Sequence, residues 1–501
     1  QSFQRLRLMN KTKFLILGIL VVLISGCTMA PKYERPENAA PGEWPKGAAY
    51  TKNQPEDTAL PASSLSWQSF ITDVRLQKIL ETALANNRDL RITALNVERA
   101  GAMYGINRAS LLPSVNVAGS WYKGADLSSS GTSATAERYD ISLGAASWEI
   151  DFFGRIRSLK DKALEEYLAT QQGLQASQIL LVSSVAQAYL TLAADREALK
   201  LVSKTLATQE ASYQLIQKHF HVGLISDLDI QRAKSQVDMA RGGVARYTHL
   251  VAQDENALNL LVGSPVKMEL LPQDLSDVRP PRDISPGLSS EPLFNRPDIL
   301  AAEHRLRAAN ANIGAARAAI FPRISLTTSV GTASTELSGL FKSGSGVWAF
   351  APQIVAPIFD PRIWYAYDVT KIEKEMAVAQ YEKTVQTAFR EVADALAVKG
   401  TIDDQINAQQ ALVEDYSATY RLSVKRYEKG IDSYLAVLDA QRSQYAAELA
   451  LIMLRLARSN NLITLYRTLG GNTVGKDNVS SRPDSMNPLP NVQVDKQEKF
   501  N

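Results

Sequence analysis

Residues 181–220 read LVSSVAQAYLTLAADREALKLVSKTLATQEASYQLIQKHF, and their spacing decides the fold. Leu181, Val185, Ala188, Leu192, Asp195, Leu199, Val202, Leu206, Gln209, Tyr213, Ile216 and Phe220 follow at steps of 4 and 3, and ten of these twelve are apolar. A 3.5-residue repeat sustained this long is a coiled-coil seam. The helical pattern runs from about Arg155 to Phe220, 66 residues, which at 1.5 Å each extend ~99 Å. A helix of that length implies a rod or tube, and the helices themselves carry no chemistry.

The seam occurs twice. The positions 207 further on, from Ala388 to Tyr427, hold nine apolar residues of twelve in the same register. Val185, Ala186 and Ala188 recur as Val392, Ala393 and Ala395, and Phe220, Gly223, Ser226, Leu228, Ala233 and Gly263 as Tyr427, Gly430, Ser433, Leu435, Ala440 and Gly470. Upstream, Asp89, Ala100, Gly105, Arg108 and Pro113 recur 209 residues later as Asp298, Ala309, Gly314, Arg317 and Pro322. So small a slippage means one unit copied in tandem. The expected division is 27–72 as an extended N-terminal segment, 73–263 and 293–470 as the two repeats, 264–292 as a linker and 471–501 as a polar tail. Each repeat is expected to hold a helical stretch (73–110 and 295–320), two β segments, a long helix (155–220 and 361–427) and a shorter closing helix.

The β segments alternate. Val115, Val117 and Trp121 face away from Ser114, Asn116, Ser120 and Tyr122; Tyr139, Ile141 and Leu143 from Asp140, Ser142 and Gly144; and Ile324, Leu326 and Val330 from Arg323, Ser325 and Ser329. The fourth, 347–358, has Trp348, Phe350 and Ile354 on one parity but contains Pro352 and Pro357, which weigh against regular pairing. Loops of small and polar residues, 125–136 and 333–345, are expected between the strands. Segments with one apolar face fit membrane-barrel strands; a soluble sheet packed on the helices is the competing reading. Four strands cannot close a barrel, and unpaired edges are forbidden in a bilayer. Two copies would give eight strands and a filled lumen, whereas three give twelve and room for a channel.

The whole chain has 501 residues, 45% hydrophobic and 21% charged, with a net charge of +3. That excludes a disordered chain and leaves no nucleic-acid footprint. The longest apolar run, 14–24, is too short to cross a bilayer as a helix. Residues 9–27 instead read as an export leader, with Lys11 and Lys13, the apolar run and Ile24-Ser25-Gly26-Cys27. Met9 reads as the natural start, 1–26 as the removed signal and 1–8 as upstream sequence. Removal of Arg5, Arg7, Lys11 and Lys13 takes the charge from +3 to −1 (3 − 4 = −1). Cys27 is the single cysteine, so neither an internal disulfide nor a cysteine-based zinc site is available. The four residues ending at Cys27 resemble a lipobox, which implies acylation there, and Thr28 rather than Asp favours outer-membrane sorting by the same resemblance. An ordinary secretory signal with a chance cysteine is the bland alternative.

Four strings are specific enough to carry a family resemblance: Ala85-Asn86-Asn87-Arg88-Asp89-Leu90-Arg91, Trp148-Glu149-Ile150-Asp151-Phe152-Phe153-Gly154-Arg155, Gly314-Ala315-Ala316-Arg317-Ala318-Ala319-Ile320-Phe321-Pro322 and Leu438-Asp439-Ala440-Gln441-Arg442. The chain resembles TolC-type outer-membrane factors, of the lipidated OprM-like branch. The resemblance implies a mainly α protein with a membrane β-barrel part. Three copies would form a twelve-stranded barrel and a twelve-helix tunnel. It also implies the passive exit duct of a tripartite efflux pump for drugs and toxic compounds, working with a periplasmic adaptor and an inner-membrane transporter of the resistance-nodulation-division class. No cofactor is expected beyond the lipid on Cys27, and the surrounding partner is outer-membrane lipid.

The tunnel's periplasmic tip should lie at the two turns 219–226 and 426–433. Gly223 and Gly430 suit left-handed helix ends, and Ser226 and Ser433 suit N-caps. By resemblance, Val222, Gly223, Leu224 and Ser226 with Gly430, Ile431 and Ser433 contact the adaptor. Leu435, Asp439 and Arg442, spaced 4 and 3, share a helix face; Leu228, Arg232 and Ser235 are their first-repeat counterparts. A trimer makes each a ring, and the resemblance implies a closed gate of Leu435, Asp439, Arg442, Arg426 and Tyr427 with Leu228. An intrahelical Asp439–Arg442 pair on a solvated face is the bland reading.

Enzymatic motifs are missing from the sequence: no metalloprotease helix, nucleophile elbow or phosphate loop occurs. The same architecture could serve metal efflux or type I secretion. From a different class, a lipid-anchored periplasmic coiled-coil scaffold without a pore would also use the long helices, but would have no need for Trp121 and Trp148 in amphipathic strands.

Overall fold

A computed structural model describes residues 28–37, 39–50, 65–127, 133–284 and 290–471. The leader, Cys27 and the tail beyond 471 lie outside the described residues. After a single helical turn at Trp67–Phe70, Asp73 caps α1 (Val74–Asn86), accepting from the amides of Arg75 and Leu76 at 2.9 and 3.3 Å. The stretch expected as one helix over 73–110 is two. Asn87 accepts from the amide of Leu90 at 2.8 Å, ending α1 and opening α2 (Arg88–Ala109). A side-chain cap at Asn87 replaces the backbone bond that would have carried the helix on. The second repeat has only α5 (Pro297–Ala318), opened by a proline whose missing N–H costs nothing at a first turn.

Four strands follow: β1 (Val115–Leu127) and β2 (Ser133–Ile150) from the first repeat, β3 (Arg323–Ser334) and β4 (Gly346–Val355) from the second. They form one antiparallel sheet in the order β1-β2-β3-β4. The first loop is shorter than the expected 125–136, because β1 and β2 pair out to Leu127 and Ser133. The second, between Ser334 and Gly346, holds a 3-10 turn at Leu337–Gly339. Pro352 does not break β4: it pairs opposite Leu326 on an edge strand, where a missing donor is tolerated. Pro357 lies beyond the strand's end.

Two helical hairpins descend from the sheet. The first is α3 (Arg155–His221) with α4 (Asp227–Val262), the second α6 (Pro361–Glu428) with α7 (Tyr434–Thr468). At 67 and 68 residues the long members extend ~100 Å. Of the twelve seam positions in α3 only Phe220 is exposed, and of the twelve in α6 none is. The linker carries 3-10 turns at Met268–Leu270 and Leu275–Asp277, pinned to the helices by Lys200–Asp274 at 2.6 Å and Arg75–Asp277 at 2.7 Å.

The two repeats are locked by the same latch. Asn87 donates to the carbonyl of Leu261 at the end of α4, at 2.8 Å. Arg296, 209 residues on, donates to the carbonyl of Thr468 at the end of α7, at 2.7 Å. Gly263 and Gly470 end those helices with φ of 75° and 74°. The main core lies nearby, where Phe70 stacks on Tyr466 at 4.3 Å amid buried Ile79, Tyr189, Leu192 and Leu258. A smaller core at the far tip joins Ile216, Ala233, Tyr434, Val437 and Leu438.

Candidate functional site

The sheet has two chemically distinct faces. Cross-strand register aligns Val117, Leu143, Val330 and Trp348 in one rank, with Val115, Ala145, Thr328 and Phe350 in the next, and Trp121 and Tyr139 towards the loops. Every apolar position read from the alternation therefore falls on this face. It lies bare in the single chain: Val117 is 73% exposed and Trp348 79%. The opposite face carries ranks such as Asn116, Gly144, Ser329, Ala349 and Ala118, Ser142, Gly331, Val347.

Near the helices the pattern would fail without a bulge. Between Ala145 and Trp148 the register of β2 against β3 slips, with Ser147 at φ 54°. The slip returns Trp148 to the apolar face beside Leu326, and its indole donates to the carbonyl of Leu111 at 3.3 Å. From Leu326 to Ser334, the partner of Tyr139, eight steps of ~3.3 Å at a ~40° tilt cover ~20 Å of height. That band, with tryptophans at both ends, approaches the height of a barrel's lipid-facing belt. Among the described residues, β1 and β4 each pair on one side only.

A strap from the N-terminus meets the sheet's base. Thr28 Oγ1 lies 2.9 Å from Ser158 Oγ in the first turn of α3, and Asn310 donates to the carbonyl of Pro31 at 2.8 Å. Farther along, Arg35 pairs with buried Glu303 at 2.8 Å.

The two tip turns have one backbone design. The amide of Gly223 donates to the Phe220 carbonyl at 2.8 Å and that of Leu224 to His219 at 2.9 Å; Gly430 and Ile431 repeat this to Tyr427 and Arg426 at 2.8 and 2.9 Å. Both glycines are left-handed, with φ of 80° and 70°. Each turn is thus a Schellman motif that satisfies the helix's last carbonyls. Val222, Leu224 and Ile431 stand 69%, 71% and 58% exposed at the end of the molecule. Ser226 donates its hydroxyl to Asp229 at 2.7 Å, while Ser433 caps α7 through its backbone alone.

Leu435, Asp439 and Arg442 lie on the solvent side of α7, with Leu435 43% exposed, and Leu228 is exposed on α4. Arg442 donates to Asp439 at 2.8 Å within the helix, so in one chain this pair takes the bland form. Arg426 engages Asp432 through two bonds of 2.5 and 3.1 Å, which lower the Asp432 carboxyl below its ordinary range. Tyr427 instead packs on Tyr434 at 5.3 Å, and burial pushes the Tyr434 hydroxyl up to about 12. Asp432 was not among the sequence candidates. Its signal was an opposite charge six residues from Arg426 across a glycine turn. Among the described residues no group of three or more His, Cys, Asp or Glu could hold a metal.

Three comparisons bear on this geometry. The profile of the family described as Outer membrane efflux protein matches residues 79–264 and again 288–471. The toluene efflux pump outer membrane protein TtgF of Pseudomonas putida is 46% identical over 482 residues, covering 94% of this chain and 99% of that one. The outer membrane protein OprJ of Pseudomonas aeruginosa is 43% identical over 470 residues, covering 92% and 97%. Among solved structures, a membrane protein from Pseudomonas aeruginosa superposes with a TM-score of 0.82 at 42% identity, covering 89% of this chain and 100% of that one. The open state of the MtrE outer membrane channel of Neisseria gonorrhoeae gives 0.79 at 38%, covering 89% and 99%.

Proposed function

The chain belongs to the outer membrane efflux protein family, and we propose that it works as a homotrimer whose sheets join, β1 to a neighbour's β4, into one twelve-stranded barrel. It is the outer-membrane exit duct of an efflux pump, with a large periplasmic part; its family is one of channels, not enzymes. The observation that carries the trimer is the sheet itself. A bare apolar face with two open edges is untenable for one chain in a bilayer, and association of edges removes both costs. Twelve strands leave an aqueous bore, walled by the Ser, Gly, Ala and Asn ranks of the opposite face. The α3/α4 and α6/α7 hairpins of three copies continue that bore as a twelve-helix tunnel. Acyl chains on Cys27, the residue before Thr28 in the sequence, tether each copy to the outer membrane. A scaffold without a pore would leave the apolar face unexplained.

The tip is the regulated end. Rings of Leu435, Asp439 and Arg442, with Leu228 just past the first turn and the Arg426–Tyr427 corner, close the tunnel at rest. The exposed Val222-Gly223-Leu224, Ser226 and Gly430-Ile431, Ser433 surfaces receive a periplasmic adaptor, which links the duct to an inner-membrane transporter of the resistance-nodulation-division class. Planar-bilayer recordings test both levels. Wild-type protein is expected to give small single-channel steps and the Asp439→Ala, Arg442→Ala double variant larger ones. Equal conductance removes the gate assignment, and no conductance from detergent-extracted protein removes the channel itself.

A further inference from the structure

One polar interruption of the α3 seam has no role in the duct. Asp195 occupies a seam position, and α4 packs antiparallel along it. The register is fixed by Arg196–Glu255 at 2.7 Å and Glu210–Arg241 at 2.9 Å, and within it the carboxyls of Asp195 and Asp254 come into hydrogen-bonding reach of each other. Among the described residues neither carboxylate has an ion-pair partner within 4.0 Å, and Asp254 Oδ2 is shut off from solvent without a hydrogen bond.

The duplication supplies the control. The residues 207 further on are Ile402 and Asn461, both buried, and Asn461 donates its amide to the Ala395 carbonyl at 3.0 Å. The second hairpin thus carries an apolar residue and a permanent donor where the first carries two acids. A carboxylate cannot donate, but a protonated carboxyl can. We propose that Asp195 and Asp254 form a proton-operated catch between α3 and α4: sharing a proton they hold the hairpin in register, and losing it they loosen the first hairpin while the second stays fixed.

The surroundings agree. Burial, then the charge of Asp195, pushes the Asp254 carboxyl up to about 7; burial also raises Asp195, against the pull of Arg246. The other groups around the pair are Arg246 and Tyr247 on α4, Tyr445 on α7, and the Arg196–Glu255 bridge, whose charges already satisfy each other. Raised carboxyl values mean that the stabilisation is complete in acid and is given up as pH climbs from ~4 through about 7. Two bare carboxylates then face each other across the seam.

The test is hydrogen exchange on the full-length protein in detergent micelles between pH 5.5 and 8.5, with rates corrected for intrinsic chemical exchange. Peptides spanning 188–202 and 247–261 should lose protection by about tenfold across the range, while 395–409 and 454–468 stay level. Asp254→Asn, which copies Asn461, and separately Asp195→Asn, should flatten the response of the first hairpin. Equal pH dependence in both hairpins, a flat wild-type response, or a slope that survives both substitutions would each overturn the catch. The readout needs neither conductance nor the gate, so it stands or falls apart from the channel reading.

Discussion

The two tip turns are the same backbone carrying different charges. After α3 the turn holds His219, Phe220 and Ile225; after α6 the matching places are Arg426, Tyr427 and Asp432, and only there does a salt bridge cross the turn. The equatorial latches differ in the same way. Asn87 holds the first repeat with a neutral amide, whereas Arg296 holds the second with an ion pair to Asp298 at 2.8 Å and to Glu391 at 3.0 Å. Duplication has kept what the backbone needs, a left-handed glycine and a side chain on the last carbonyls. It has let the electrostatics drift, and at both of these places the second copy is the more charged.

That asymmetry can be broken experimentally, and the latch is the place of largest effect. Arg296→Ala strands two carboxylates beside a buried site and should cost ~3 kcal/mol or more, against ~1 kcal/mol for Asn87→Ala, as read from thermal unfolding. Similar losses would mean that the charges add nothing. The closing glycines come next. Gly263→Ala places a Cβ 2.5 Å from the Asn86 carbonyl oxygen as well as forcing a left-handed alanine, and should cost ~3 kcal/mol. Gly470→Ala meets the flexible Arg296 Cγ at 3.1 Å and should cost only the conformational ~1–2 kcal/mol. The smallest effect belongs to Asp432→Asn, which should leave the melting temperature unchanged yet speed amide exchange at 430–432 with no change at 223–225. Because the Asp432 carboxyl is lowered, its contribution is present above its ordinary range near 3.8 and disappears as pH falls below that. A response in both turns would dissolve the distinction.

Periodicity made most of the architecture readable. The 4,3 steps from Leu181 to Phe220 gave the long helices their extent because a seam has to persist to bury anything. The alternation at Val115, Val117 and Trp121 assigned a face before any register was known. Three features escaped. Asn87 interrupts a helical pattern whose apolar spacing continues through it, so only its capping chemistry could have marked the break. The latches join residues more than 170 apart, a proximity that no local pattern encodes. At Ala145-Ala146-Ser147 the side chains are too small to declare which way they point, and the bulge stayed hidden. At the tip, the turn backbones were legible from glycine and serine, but the Arg426–Asp432 bridge was not, because a six-residue spacing across a glycine turn matches no helical or strand period.

The bulge at Ser147 has a consequence of its own. It acts as a phase shifter: above it β2 keeps step with its neighbours by simple alternation, and below it the step is reset by one. Straightening 145–147 into plain alternation, with every residue kept, would turn the lower strand inside out, moving Trp148 into the water path and Glu149 into the oil; deleting one residue there would remove the bulge and leave both on their present faces. Hull and bore are therefore kept apart at that level by one irregular residue, not by composition.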